Sequence, residues 1–255
     1  MAPGAKVVLV EAASNSFSNL FMAVDKATRI VQAAGGGEVS MSWGGSEFSS
    51  EANYDSHFPL NSNVVYFGAS GDSGGATIYP SVSPNVAAAS GTTIVRSGGT
   101  VTEYGWSGGG GPSKYEPRPW YQNGVALVGQ ARGVPDIAFD ADPNSGVSVY
   151  DSTPCQGMSN WMVFGGTSVL APSLSGLANS AGAFRVDSQS ELNTFYTQIG
   201  SSNYFDVVIG TAGSFSRGHG LGFRDRRRYA ARAPRHVAVR ARAAARAASD
   251  QDVFR

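Results

Sequence analysis

Asn63-Val64-Val65-Tyr66-Phe67-Gly68-Ala69-Ser70-Gly71-Asp72-Ser73-Gly74-Gly75 is the stretch that decides the fold. The six residues after Asn63 form an apolar run without polar alternation, the composition of a strand buried on both faces. The glycine- and serine-rich half that follows has the chemistry of a loop. Working toward the N-terminus, residues 38–43 read as another strand, preceded by Gly35-Gly36-Gly37. Before that, residues 19–34 carry Leu20, Phe21, Val24, Ala27, Ile30 and Val31 at helical spacing. Residues 6–11, another short apolar run, read as a further buried strand. Strand, helix, strand and strand with no hairpin turn between them predict an α/β chain, a parallel sheet with helices on both faces. In such sheets the working residues sit on loops beyond the strand C-termini, where Ser42-Trp43-Gly44-Gly45 and Asp72 both fall.

Working toward the C-terminus, residues 96–133 are rich in glycine and proline but carry Trp106, Trp120 and Tyr121, which predicts an ordered surface excursion and not a linker. Residues 133–150 return to strands. Phe164-Gly165-Gly166-Thr167-Ser168 then opens a helix of small residues through position 183, buried at the centre, with Pro172 tolerated in its first turn. The character changes at Arg217. Residues 1–216 hold 8 Lys and Arg against 16 Asp and Glu, whereas residues 217–255 hold 11 Arg against 3 Asp. The zero net charge therefore joins two unlike parts, residues 1–216 and an Arg/Ala-rich tail.

At 255 residues the chain fits one large α/β domain. Apolar residues make up 42% and charged residues 15%, so the core is sizeable and the surface polar but uncharged. No stretch approaches the roughly 20 apolar residues that span a bilayer. Met1-Ala2-Pro3-Gly4-Ala5-Lys6 has no signal-peptide pattern. A single cysteine, Cys155, excludes an internal disulfide and a cysteine-based zinc site.

Two segments carry candidate chemistry. Ser168 stands at a helix mouth after a glycine turn, where a hydroxyl is exposed and helix N-terminal amides stabilise developing negative charge. A plain helix N-cap is the alternative for that serine. Asp72 stands on the functional rim, or is an ordinary turn aspartate.

Six ordered motifs together resemble the sedolisins, acid-active serine-carboxyl peptidases with a subtilisin-like fold. They are Ala2-Pro3-Gly4-Ala5-Lys6, Ser42-Trp43-Gly44-Gly45-Ser46-Glu47, Ser70-Gly71-Asp72-Ser73-Gly74, Gly133-Val134-Pro135-Asp136 and Gly165-Gly166-Thr167-Ser168 with Pro172. The sixth is Phe205-Asp206-Val207 with Gly210-Thr211-Ala212-Gly213. The resemblance implies Ser168 as nucleophile and Asp72 as the acid of the oxyanion hole, protonated and hence active at low pH. Ser42, Trp43, Gly44 and Gly45 would line a cleft for an extended peptide. It further implies a monomer, secreted as the intact parent, with a calcium site begun by Asp206 and Val207. Gly222 stands where a calcium-ligating aspartate is expected.

The resemblance also implies a glutamate base and an aspartate partner just upstream of Ala2, so the expectation is a partial catalytic domain over 1–216, inactive as it stands. Glu51 and Asp55 share the spacing of that pair but follow Ser-Trp-Gly-Gly, and are expected to be solvated loop side chains. His57, His219 and His236 are the imidazoles open to a Ser–His arrangement. Residues 218–232 back-translate in the next frame to a run containing Trp-Asp-Phe-Val-Thr-Gly-Val-Gly, as the family carries there. The tail is therefore expected to be out of frame and disordered. Two other functions compete with peptidase: a non-catalytic peptide-binding remnant, and, ranked last, a basic-tailed nucleic-acid binder.

Overall fold

A computed structural model describes residues 2–125, 128–155, 157–182, 185–207, 209–213 and 215–216, with the backbone of 224–225 and 236–239. Helix α1 (Phe17–Ala33) is capped by the Ser16 side chain, which accepts from the Asn19 N–H, and ends in the glycine run that leads into β1 (Gly37–Met41). After the short β2 (Gly45–Ser46) and a 3-10 helix (Glu51–His57) come β3 (Val64–Ala69), β4 (Ile78–Tyr79), β5 (Ala87–Ser97) and β6 (Thr100–Gly105). Then follow β7 (Gly111–Pro117), a 3-10 turn (Trp120–Gln122), β8 (Ala131–Val134) and β9 (Ile137–Asp140). A hairpin of β10 (Val147–Cys155) and β11 (Met158–Phe164) leads to α2 (Thr167–Ser180), α3 (Ser188–Thr197) and β12 (Tyr204–Asp206).

The main sheet runs β1-β3-β5, all parallel, with β9 parallel to β5 and β6 antiparallel to it. All six residues of β3 are buried. Their alternation divides the core in two, because successive side chains point to opposite faces. Val64 and Tyr66 face α1, joining Phe21, Val24, Phe58 and Tyr79. Val65 and Phe67 face α2 and α3, joining Leu170, Leu174 and Leu192. Helices therefore lie on both faces of a largely parallel sheet, as the continuous apolar run predicts.

Four expectations are corrected. Residues 6–11 are not a strand: Val7 and Leu9 are exposed, and no described residue pairs with them. An apolar run becomes a strand only where a neighbour accepts its ladder. The excursion over 96–133 is not superficial, since Tyr121 joins the core cluster of Leu170, Leu174 and Leu192, with Trp106 packed against that cluster. Helix α2 buries one face only, through Thr167, Leu170, Ala171 and Leu174. Glu51 and Asp55 are not solvated: both lie on the 3-10 helix, and Glu51 is fully buried. Of the tail, residues 236–239 pair antiparallel with β12 and 224–225 with residues 215–216; the rest of the expectation for 217–255 lies outside the described residues. No helix among the described residues is long and apolar enough to cross a membrane.

Candidate active site

The loop leaving β3 and the turn entering α2 are laced together through Asp72. Its Oδ1 accepts from the Thr167 N–H at 2.7 Å and from the Thr167 hydroxyl at 2.9 Å. The same hydroxyl accepts from the Gly71 N–H at 3.1 Å, which fixes its own proton on Asp72. Oδ2 faces Gly166: a Cβ there would sit 2.8 Å from it. Gly166 is also at φ 90°, a region that side chains disfavour, so two constraints select glycine.

Gly166 is the helix N-cap and has no side chain to cap with, so Ser168 lies inside the first turn of α2 and the plain-cap reading of it fails. Its side chain is exposed. Pro172 falls in the second turn, one turn beyond the position expected for it. There it removes the N–H that would bond the Ser168 carbonyl four residues back. The Ser42 hydroxyl replaces that donor, bonding the Ser168 carbonyl at 2.8 Å. The segment after β1 is thereby tied to the residue before it in the fold's chemistry, Ser168, across 126 positions of sequence.

Trp43 turns inward, its ring centroid 6.0 Å from Phe21 and 6.3 Å from Phe17. It anchors the segment instead of facing solvent as a cleft wall. A Cβ on Gly44 would meet Ile78 Cδ1 at 2.5 Å, and one on Gly45 would meet Phe17 Cζ at 2.9 Å. Close approach to β4 and α1 therefore explains both glycines, and β2 pairs with β4 antiparallel.

Ser168 Oγ has no carboxylate or imidazole hydrogen-bonded to it among the described residues. His57 Nδ1 bonds Asp25 Oδ1 at 2.8 Å, and its ring stacks on Phe21 at 4.6 Å. Asp55 accepts from the Tyr79 hydroxyl at 3.0 Å. His219 lies outside the described residues, and the backbone of His236 pairs with Asp206. Asp206 closes β12 and Val207 is buried beside it. Residues 218–222, where further calcium ligands are expected, lie outside the described residues. No three His, Cys, Asp or Glu side chains among the described residues gather to hold a metal.

Sequence reasoning passed over two features. Thr167 holds Asp72; its signal is its place inside the motif, next to the candidate nucleophile. The second is a buried pair under the Gly133-Val134-Pro135-Asp136 motif. Arg132 donates to Asp136 through two nitrogens, at 2.6 and 2.5 Å, with both side chains fully buried. Asp136 also accepts from the Tyr196 hydroxyl and the Ala88 N–H, which fastens β9 to β5 and α3.

The chain is similar to two curated peptidases. It is 34% identical over 164 residues to kumamolisin of Bacillus sp. (strain MN-32), covering 52% of this chain and 29% of that protein. It is 33% identical over 160 residues to sedolisin of Pseudomonas sp. (strain 101), covering 56% of this chain and 26% of the relative. The chain thus spans less than a third of the length of either. A solved Pseudomonas sedolisin, a serine-carboxyl proteinase complexed with two molecules of pseudo-iodotyrostatin, superposes with a TM-score of 0.60 at 25% identity. That match covers 83% of this chain and 62% of the other. No protein-family model matches the chain. Sequence and fold agree on one kinship: the chain is related to the sedolisin family of serine-carboxyl peptidases.

Proposed function

We propose that the loops at the C-terminal ends of β1 and β3 and the mouth of α2 form the nucleophile-and-oxyanion half of a serine-type endopeptidase site, whose substrate is an extended peptide. The observation that carries this is the joining of Asp72 to the Ser168 turn through both polar groups of Thr167. It sets a carboxyl beside an exposed hydroxyl at a helix N-terminus, where negative charge on a former carbonyl oxygen is best received. A carboxyl donates a hydrogen bond only when protonated, so the reading places function at acid pH. The segment 42–45 presents backbone to the same rim, tethered by Ser42.

A nucleophilic serine needs a base, and no described carboxylate or imidazole is hydrogen-bonded to Ser168 Oγ. The chain is therefore proposed to bind peptides at this rim and to hydrolyse them orders of magnitude more slowly than a complete site. Calcium is an expectation of the resemblance only. Asp206 and Val207 supply at most a carboxylate and a carbonyl, Gly222 supplies no carboxylate, and no step here depends on a metal. A monomeric state and secretion of the intact parent belong to the same proposal.

The test is a quenched-peptide assay at pH 4 beside a binding titration with the same peptide. Saturable binding that is weakened by Gly44→Val, with no turnover above the Ser168→Ala background, is expected. Turnover abolished by Ser168→Ala would show that the chain has a base after all. Absence of binding would remove the site.

A further inference from the structure

Beneath the 42–47 segment lies a group of carboxylates that the proposed chemistry does not use. Glu51 is 0% exposed and Glu116 3% exposed, and Oε1 of each has no hydrogen-bond partner among the described residues. Glu51 Oε2 accepts from the Phe48 N–H at 2.8 Å. Glu47, which ends the Ser42-Trp43-Gly44-Gly45-Ser46-Glu47 motif, fastens three segments. It accepts from the Thr77 hydroxyl beside β4, and from the Ser113 hydroxyl and the Lys114 N–H on β7. Asp55, half-buried on the same 3-10 helix as Glu51, accepts from the buried Tyr79 of β4. Among the described residues, the cation acting on the group is Arg132 of β8, and it is already committed to Asp136. Four carboxyl groups thus line the junction of the 42–47 segment, the 3-10 helix, β4 and β7, with no uncommitted cation beside them among the described residues. Fully ionised, they would repel one another in a low-dielectric interior.

We infer that this buried carboxyl cluster is an acid latch: protonated, it seats the 42–47 segment on β7 and the 3-10 helix, and ionised, it releases it. The inference rests on the proposed site only for its consequence, since the segment released is the one that would hold peptide. Burial, with Glu47 and Glu116 close by, pushes the Glu51 carboxyl up to about 8 despite the Phe48 N–H. Burial and the neighbouring Asp55 and Glu47 push Glu116 up to about 7 against the pull of Arg132. Burial raises Asp55 as well, opposed by bonds from Ser83 and Tyr79. Groups whose folded values are raised bind protons more tightly in the native state. Their stabilisation is complete below the unfolded value of about 4.5 and is lost as pH rises to about 8.

The test is hydrogen exchange of segments 42–56 and 111–117, with the thermal melt, at pH 5 and pH 8 and without peptide. The native chain is compared with the Glu51→Gln/Glu116→Gln double variant and with Glu11→Gln, an exposed control. Glutamine copies the shape of the protonated acid and cannot ionise. The native chain and the control should lose protection in these two segments at pH 8, beyond the intrinsic pH effect on exchange, and melt at lower temperature. The double variant should keep both. An equal loss in native and double variant, or no cooperative melt at either pH, overturns the latch. Because no peptide is present, that outcome leaves the proposed site to be judged by its own binding test.

Discussion

Gly166 is where a single residue governs most of the proposed chemistry. Alanine there must hold φ near 90° and crowd Asp72 Oδ2. A cost of about 1–3 kcal/mol is expected in urea unfolding, together with loss of peptide binding. A second residue-scale prediction concerns Ser42. Its removal leaves the Ser168 carbonyl without a protein donor, at about 0.5–1.5 kcal/mol. In a Pro172→Ala background the restored helical N–H can take that carbonyl, so Ser42→Ala should cost less there. A double-mutant cycle that finds the two costs additive would show that Ser42 is not Pro172's replacement donor. Neither contact was legible in the sequence. The motif displays the glycine turn and the proline, but not that Pro172 sits one turn deeper and so frees a carbonyl for Ser42, 126 positions away.

At the scale of elements, β3 does the organising, and its reading from sequence was sound because burial on both faces leaves an uninterrupted apolar run. On its α1 face Phe21 is the hub, stacked with Phe17, Tyr54 and His57. Phe21→Ala should cost about 3–5 kcal/mol in denaturant unfolding and release the indole of Trp43, read as a red shift of its emission. On the other face the Arg132–Asp136 pair ties β8, β9, β5 and α3. Removing one partner, as in Asp136→Ala, leaves a buried charge and should cost about 3–5 kcal/mol. The pair Arg132→Met/Asp136→Leu should recover most of that. The elements misread were those whose state is set from afar. Residues 6–11 have strand composition but no described partner, and Glu51 looks like a loop carboxylate until β4 and β7 cover it.

For the molecule as a whole, kinship and fold were legible because six short motifs keep their order and because strand–helix–strand patterning survives in any member of such a fold. The gathering of the site was legible only as far as the motifs went: Ser168, Asp72 and the 42–45 segment do meet at one end of the sheet, whereas Trp43 faces the core and Glu51 lies under the rim in the latch. The measurement that most directly tests the site is the affinity of a peptide aldehyde across pH 4 to pH 8, for the native chain and for Asp72→Asn. In the adduct, Ser168 Oγ bonds the aldehyde carbon, its proton passes to the former carbonyl oxygen, and that oxygen takes a hydrogen bond from position 72. Asparagine donates at every pH. Native affinity should therefore fall toward pH 8, because only a protonated carboxyl donates, by about two- to tenfold on the scale of one neutral hydrogen bond of about 0.5–1.5 kcal/mol, while Asp72→Asn stays nearly flat. Identical pH profiles for the two proteins would contradict the account, because Asp72 would then have no part in receiving the former carbonyl oxygen.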